Sequence, residues 1–186
     1  MNKSLIIVDV QKDFYHPEGA LYVKGAEVLP ERIEKIIPLF KNVIFTLDYH
    51  PYNHCSFKEY GGIWPEHCIE HTEGAALPKE LLKNGIPRGM IYKGQEIHKE
   101  EYGANAQYIK DAAWIPFANE PFPDEYVFCG IHALYCVKET IKNFIEKYPQ
   151  VKVSALTDCI APLDCDEFNT FCIENGITQK TIADFL

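Results

Sequence analysis

Short apolar, β-prone runs recur along the chain, and amphipathic stretches fall between them. Leu5-Ile-Ile-Val8, Val43-Ile-Phe-Thr-Leu47 and Tyr126-Val-Phe-Cys129 lack a polar alternation, as expected of strands covered on both faces. Gly89–Lys93, Val151–Leu156 and Ile177–Ile182 complete six predicted strands. Val28–Lys41 reads as a helix with Leu29, Ile33, Ile36, Ile37 and Phe40 apolar; Pro30 suits its first turn, and Pro38 bends or ends it. Further helices are predicted over Pro78–Asn84, Asn105–Ala113 and Asp164–Asn175, the last closed by Gly176. After Gly130 interrupts the fourth strand, Val137, Ile141, Phe144, Ile145 and Tyr148 share one helical face, with Lys138, Glu139, Lys142, Glu146 and Lys147 on the others. Val10–Phe14 reads as a loop, as does Gly61–Gly74, and the prolines at 116, 121 and 123 mark a loop into the fourth strand. Strands alternating with helices predict an α/β fold: one parallel sheet with helices on both faces.

Composition adds limits to this pattern. With 186 residues, 47% hydrophobic and 24% charged, the chain suits a single globular domain over residues 1–186. A net charge of −9 with no basic block argues against nucleic acid or an anionic membrane as partner. No apolar run reaches membrane-spanning length, and residues 1–9 carry charge too early for a signal peptide. Seven cysteines, an odd number without a Cys-x-x-Cys pair, are read as reduced thiols in the cytoplasm.

The candidate chemistry stands at strand ends. Asp9, Asp48, Lys93 and the Gly130–Cys136 loop each follow a predicted strand, and in a parallel sheet those ends lie along one edge. Cys136 falls at the first turn of a helix, where the dipole is expected to lower a thiol pKa and free N–H groups can hold an oxyanion; a small buried hydrophobe is the alternative reading. Asp9 fits catalysis or a turn cap, and Lys93 a working cation or a solvated edge charge. Asp48 and His50, one residue apart, with His54 and His67 beyond, form a donor set suited to zinc, iron or manganese, or else solvated loop histidines. Phe14 either walls a pocket or packs.

These residues together resemble the nicotinamidase/pyrazinamidase branch of the isochorismatase-like cysteine hydrolases. Val8-Asp-Val-Gln-Lys-Asp-Phe14 is similar to that family's first-strand motif, and Thr46–Phe57 to its metal motif. Trp64-Pro-Glu-His-Cys68 is similar to the segment bearing a further histidine ligand and a pocket tryptophan. Tyr92-Lys-Gly94 and Gly130–Val137 resemble its lysine motif and nucleophile loop. The resemblance implies a six-stranded sheet in the order 3-2-1-4-5-6, a catalytic triad of Asp9, Lys93 and Cys136, and a cis peptide at Ile131–His132. It implies oxyanion donors at His132 and Cys136, a ring-binding pair in Phe14 and Trp64, and a divalent metal on Asp48, His50 and His67. His54 is the fourth expected ligand, at a position that varies in the family. Zinc leads the metals, with iron or manganese as alternatives. The implied partner is a small carboxamide, nicotinamide first, with room for a homo-oligomer. Two other readings share these residues: a hydrolase of another small amide or N-carbamoyl compound, and a catalytically silent metal- or ligand-binding protein. The chain departs from the family's pattern at His132-Ala-Leu-Tyr135 and over Gln95–Gln107.

Overall fold

The computed structural model describes residues 2–83, 86, 88–114 and 122–186. Six parallel strands form one sheet in the order β3-β2-β1-β4-β5-β6. They are β1 Lys3–Val8, β2 Asn42–Asp48, β3 Arg88–Lys93, β4 Glu125–Ile131, β5 Val153–Ala161 and β6 Thr178–Lys180. The helices are α1 Lys12–Tyr15, α2 Leu29–Ile36, α3 Ala106–Trp114, α4 Lys138–Lys147 and α5 Asp166–Glu174. Strand order reverses after β1, so right-handed crossovers place α2 on one face and α3, α4 and α5 on the other. Among the described residues, no helix is long and apolar enough to cross a membrane.

The sheet's centre explains the unbroken apolar runs. Leu5 to Val8 and Val43 to Phe45 are fully buried, because layers of helix and loop close over both faces. On α4 and its two flanking residues, Val137, Ile141, Phe144 and Tyr148 are buried while Lys142, Glu146 and Lys147 face water, the division that the sequence pattern predicts.

Several predicted boundaries move, for local reasons. The helix expected over residues 28–41 is α-helical only to Ile36; Pro38 lacks an N–H donor, and the chain tightens into a 3₁₀ turn at Ile37–Leu39. Val10–Phe14 is not simply loop, since one helical turn begins at Lys12. The helix expected from Pro78 is a 3₁₀ turn, Lys79–Leu82. Gly130 does not break β4, which continues to Ile131. β5 runs on through Thr157 and Asp158 to Ala161, because a bulge sets Phe128↔Ala155 next to Gly130↔Ile160. The sequence readings at Asn84, Pro116 and Pro121 lie outside the described residues.

At the other edge of the sheet, opposite the strand ends that carry the candidate chemistry, Glu125 is buried at the start of β4. Its carboxylate pairs with Lys3 at 3.3 Å and Lys180 at 2.5 Å, and accepts a bond from the Ser154 hydroxyl. One side chain thus ties β4 to β1, β5 and the short edge strand β6. Burial would raise its pKa, but Lys180, Ser154 and Lys3 outweigh burial and pull it down to about 2. A carboxyl whose folded pKa is depressed stabilises the fold above its ordinary value and loses that contribution as pH falls toward the folded value. Replacing Glu125 with Gln leaves two partly buried ammonium groups without their buried partner and is expected to cost about 3 kcal/mol at pH 7. In urea titrations the gap between wild type and Glu125→Gln should narrow as pH falls from about 4.5 toward about 2. A gap that stays constant with pH would remove Glu125 as the source.

Candidate active site

The strand ends converge as the sheet register requires. Val8 pairs with Thr46 on one side and Gly130 on the other, and Asp48 pairs with Lys93. Residues following β1, β2, β3 and β4 therefore meet at the C-terminal edge, where strand order reverses. Gly130 is required there: its φ is +125°, and a Cβ would lie 2.0 Å from the Val8 carbonyl oxygen. The Ile131–His132 peptide is cis, as the resemblance implies. A π-type turn over Ala133–Val137 then leads into α4 and carries Cys136.

Asp9 is fully buried with φ +50°, in the left-handed region that side chains disfavour. Two bonds from β2 hold it there. The Thr46 hydroxyl donates to Asp9 Oδ1 at 2.6 Å, and the Asp9 N–H donates to the Thr46 carbonyl at 3.0 Å. Lys93, also buried, places Nζ 2.8 Å from Asp9 Oδ2, in contact with Asp48 Oδ1 and 3.6 Å from Cys136 Sγ. Donor atoms of Asp9, Asp48 and Cys136 lie within 4.8 Å of one another.

Charge and burial compete at each group. Burial would discharge Lys93, but Asp48, Asp9 and Cys136 outweigh it and hold the ammonium well above the usual lysine range. Burial, opposed by Lys93 and reinforced by Asp48, leaves the Asp9 carboxyl above its ordinary pKa. For Asp48 burial loses to Lys93 and His50, and its carboxyl stays well below the usual range. Cys136 reverses the sequence expectation. Burial, with Asp9 and Asp48 adding to it, outweighs Lys93 and pushes the thiol well above its ordinary value, so the resting sulfur is protonated.

A second group adjoins the first through Asp48. Its Oδ2 lies 3.6 Å from His50 Nε2 and 3.8 Å from His67 Nε2, and the three donors form one cluster within 4.8 Å. Each imidazole is anchored through Nδ1, His50 to the Gly94 carbonyl at 2.8 Å and His67 to the Pro65 carbonyl at 2.7 Å. Carbonyls only accept, so both Nδ1 atoms carry a proton, and the two Nε2 atoms are the ring nitrogens turned to the shared point. Two imidazoles and a carboxylate so arranged fit a divalent metal, which takes the neutral form of each ring. His54 does not join them. Its Nδ1 lies 2.5 Å from the Ser56 hydroxyl and its Nε2 3.0 Å from the Lys99 carbonyl, so both nitrogens are committed; its ring stacks on His50 at 4.2 Å.

Both groups open into one cavity of about 460 Å³. Phe14 lies against the His67 ring on one wall, 5.5 Å between centroids. Trp64, Tyr102 and Tyr135 line another; the indole N–H donates to the Tyr102 hydroxyl at 3.0 Å. Sequence reasoning missed Tyr102 and Glu100, which come from the unpatterned Gln95–Gln107 segment. It also missed Gln11, whose buried amide accepts from the Asp48 N–H at 2.8 Å and donates to the Asp48 carbonyl at 2.7 Å. A polar residue three positions past a buried strand was the available signal.

No family model matches the chain. The nicotinamidase of Acinetobacter baylyi is 30% identical over 75% of this chain and 72% of its own length. The pyrazinamidase of Pyrococcus horikoshii, solved in complex with zinc, is 30% identical with a TM-score of 0.74, covering 98% of this chain and 100% of its own. PnC1 from L. infantum, solved in complex with nicotinate, is 27% identical with a TM-score of 0.81, covering 100% of this chain and 95% of its own. With this identity, this coverage and the shared fold, the chain belongs to the nicotinamidase/pyrazinamidase family.

Proposed function

We propose that this single domain, residues 1–186, is an amidohydrolase converting nicotinamide to nicotinate and ammonia through a thioester on Cys136. The observation that carries the reading is one buried cation, Lys93, touching Asp9, Asp48 and Cys136 beside the Asp48–His50–His67 group in a shared cavity. Nicotinamidase relatives, and the nicotinate held by the L. infantum protein, support the choice of substrate.

The thiol starts protonated, so its activation falls to Asp9, whose raised pKa makes it a competent base. Asp9 takes the thiol proton as Sγ attacks the carboxamide carbon. The main-chain N–H groups of His132 and Cys136 bind the developing oxyanion. As the C–N bond breaks, protonated Asp9 gives its proton to the departing nitrogen, and ammonia leaves. Asp9 then deprotonates a water that attacks the thioester carbon; nicotinate departs and Cys136 recovers its proton. Lys93 stays charged throughout and keeps Asp9 oriented while the sulfur gains negative charge.

A divalent metal on Asp48 Oδ2 and the Nε2 atoms of His50 and His67, zinc foremost, with iron or manganese as alternatives, supplies a Lewis acid for a ring nitrogen; the zinc of the P. horikoshii relative supports that choice. Phe14 and Trp64 flank the ring and fix its plane. Free thiols throughout the chain suit the cytoplasm.

Cys136→Ala should lower kcat by roughly ten-thousandfold while circular dichroism stays unchanged, because the turn keeps its backbone bonds. Ammonia release above that level from a folded variant would remove Cys136 as nucleophile. Nicotinamide should exceed benzamide by at least roughly a hundredfold in kcat/KM, about 2.7 kcal/mol, since benzamide has the ring and amide without the nitrogen. Stripping the metal with a chelator should erase that preference, and zinc should restore it. Equal kcat/KM for both amides on zinc-loaded protein would defeat the substrate assignment.

A further inference from the structure

His67 sits on a segment with no helix or strand of its own, between two isolated bridges, Phe57↔Trp64 before it and His50↔Ile69 after it. Its ring Nδ1 is held by the Pro65 carbonyl, two residues away in the same segment. The firmer attachments pass through the next residue, Cys68. Its carbonyl accepts from the His50 N–H at 3.0 Å, and its own N–H donates to Asp13 Oδ2 at 2.7 Å. Cys68 has φ +45°, a conformation that a residue with a side chain holds only when its surroundings impose it. Asp13, on α1, supplies that constraint from the N–H side.

The Asp13 carboxylate is itself closely fitted. Its second oxygen accepts from the Ala20 N–H at 3.1 Å, ahead of the cavity-wall residues Leu21 and Val23. The Asp13 N–H donates to the Gly74 carbonyl at 3.0 Å, and a Cβ on Gly74 would lie 2.1 Å from Asp13 Oδ2. Each carboxylate oxygen thus serves one main-chain N–H, and a glycine leaves room for the group.

We propose that Asp13 is a positioning residue for the metal centre: by holding the Cys68 N–H it aims His67 Nε2 at the point shared with Asp48 and His50, and so sets metal affinity. The inference rests on the metal-binding reading above. Asp13 touches neither substrate nor metal; it acts through the main chain that carries a ligand.

The test measures Zn²⁺ affinity of the full chain by competition with a chromogenic chelator, for wild type, Asp13→Asn and Gly74→Ala. Asp13→Asn leaves one oxygen for two N–H donors and turns an amide toward the other, so affinity should fall at least roughly tenfold. Gly74→Ala pushes the carboxylate aside without altering it and should shift affinity in the same direction, which keeps the test available should Asp13→Asn fold poorly. In a His67→Ala background, Asp13→Asn should add nothing further, because the ligand it positions is gone. Wild-type affinity in either folded variant overturns the proposal, as does a full additional loss in the His67→Ala background, which marks general loosening. A wild-type chain that binds no Zn²⁺ overturns the metal-centre reading, and this inference with it.

Discussion

The site depends on one buried ammonium. Lys93 has no water to solvate it, so it remains charged only because Asp9 and Asp48 surround it. The dependence is mutual, since two buried carboxylates in close proximity would repel without it. Two carboxylates against one ammonium leave an excess negative charge when the thiol is protonated. That excess lies on Asp48, whose Oδ1 meets Lys93 while Oδ2 faces the two imidazoles. A divalent cation on that side offsets the excess where it lies. In the proposed mechanism Asp48 therefore joins the Cys136 side of the site to the His50 and His67 side through one side chain at a strand end. Deleting Lys93 leaves two buried carboxylates uncompensated, at a cost of about 3–5 kcal/mol.

Topology assembles this cluster without long loops. The reversal of strand order after β1 opens a crevice between β1 and β4, and Asp9 and the Cys136 turn lie on its two sides. Lys93 enters from β3, two strands away from β1, because a lysine side chain spans that distance along the sheet edge. Gln11 locks the main chain of Asp48 from the β1 side with bonds to both its N–H and its carbonyl. The groups proposed to react thus stand on strand ends and the turns that directly follow them, and the longer loops supply pocket walls.

What the sequence could show follows from which forces are local. Apolar runs at Leu5–Val8 and Val43–Leu47 reveal buried strands because burial on both faces removes alternation, and the residue after such a run must lie at the sheet edge. Asp9, Asp48, Lys93 and Cys136 were therefore legible as one set. Groups fixed by contacts distant in sequence were not. His54 carries the spacing of a ligand, yet Ser56 and the carbonyl of Lys99 occupy its nitrogens, and residue 99 shows no periodicity that would place it there. Glu100 and Tyr102 reach the cavity from the same segment. Asp13 looks like any helix-turn carboxylate until Cys68 and Ala20 are folded against it.

The Cys136 thiol shows why a local rule can point the wrong way. A helix N-terminus and a lysine both favour thiolate, and both are visible in the sequence. Burial is not, and here it is the largest influence, joined by two carboxylates that resist a third negative charge. A thiolate at rest would leave Lys93 facing three anions in a dry site. A protonated thiol leaves two, and in the proposed mechanism Asp9 accepts the proton only as the sulfur's charge passes into its bond with the carbonyl carbon. Negative charge then moves from Asp9 to the oxyanion without adding to the total beside Lys93. The raised pKa values of Asp9 and Cys136 share this origin: both groups lie where one more anion is costly, so proton transfer between them coupled to bond formation is the lower-cost route.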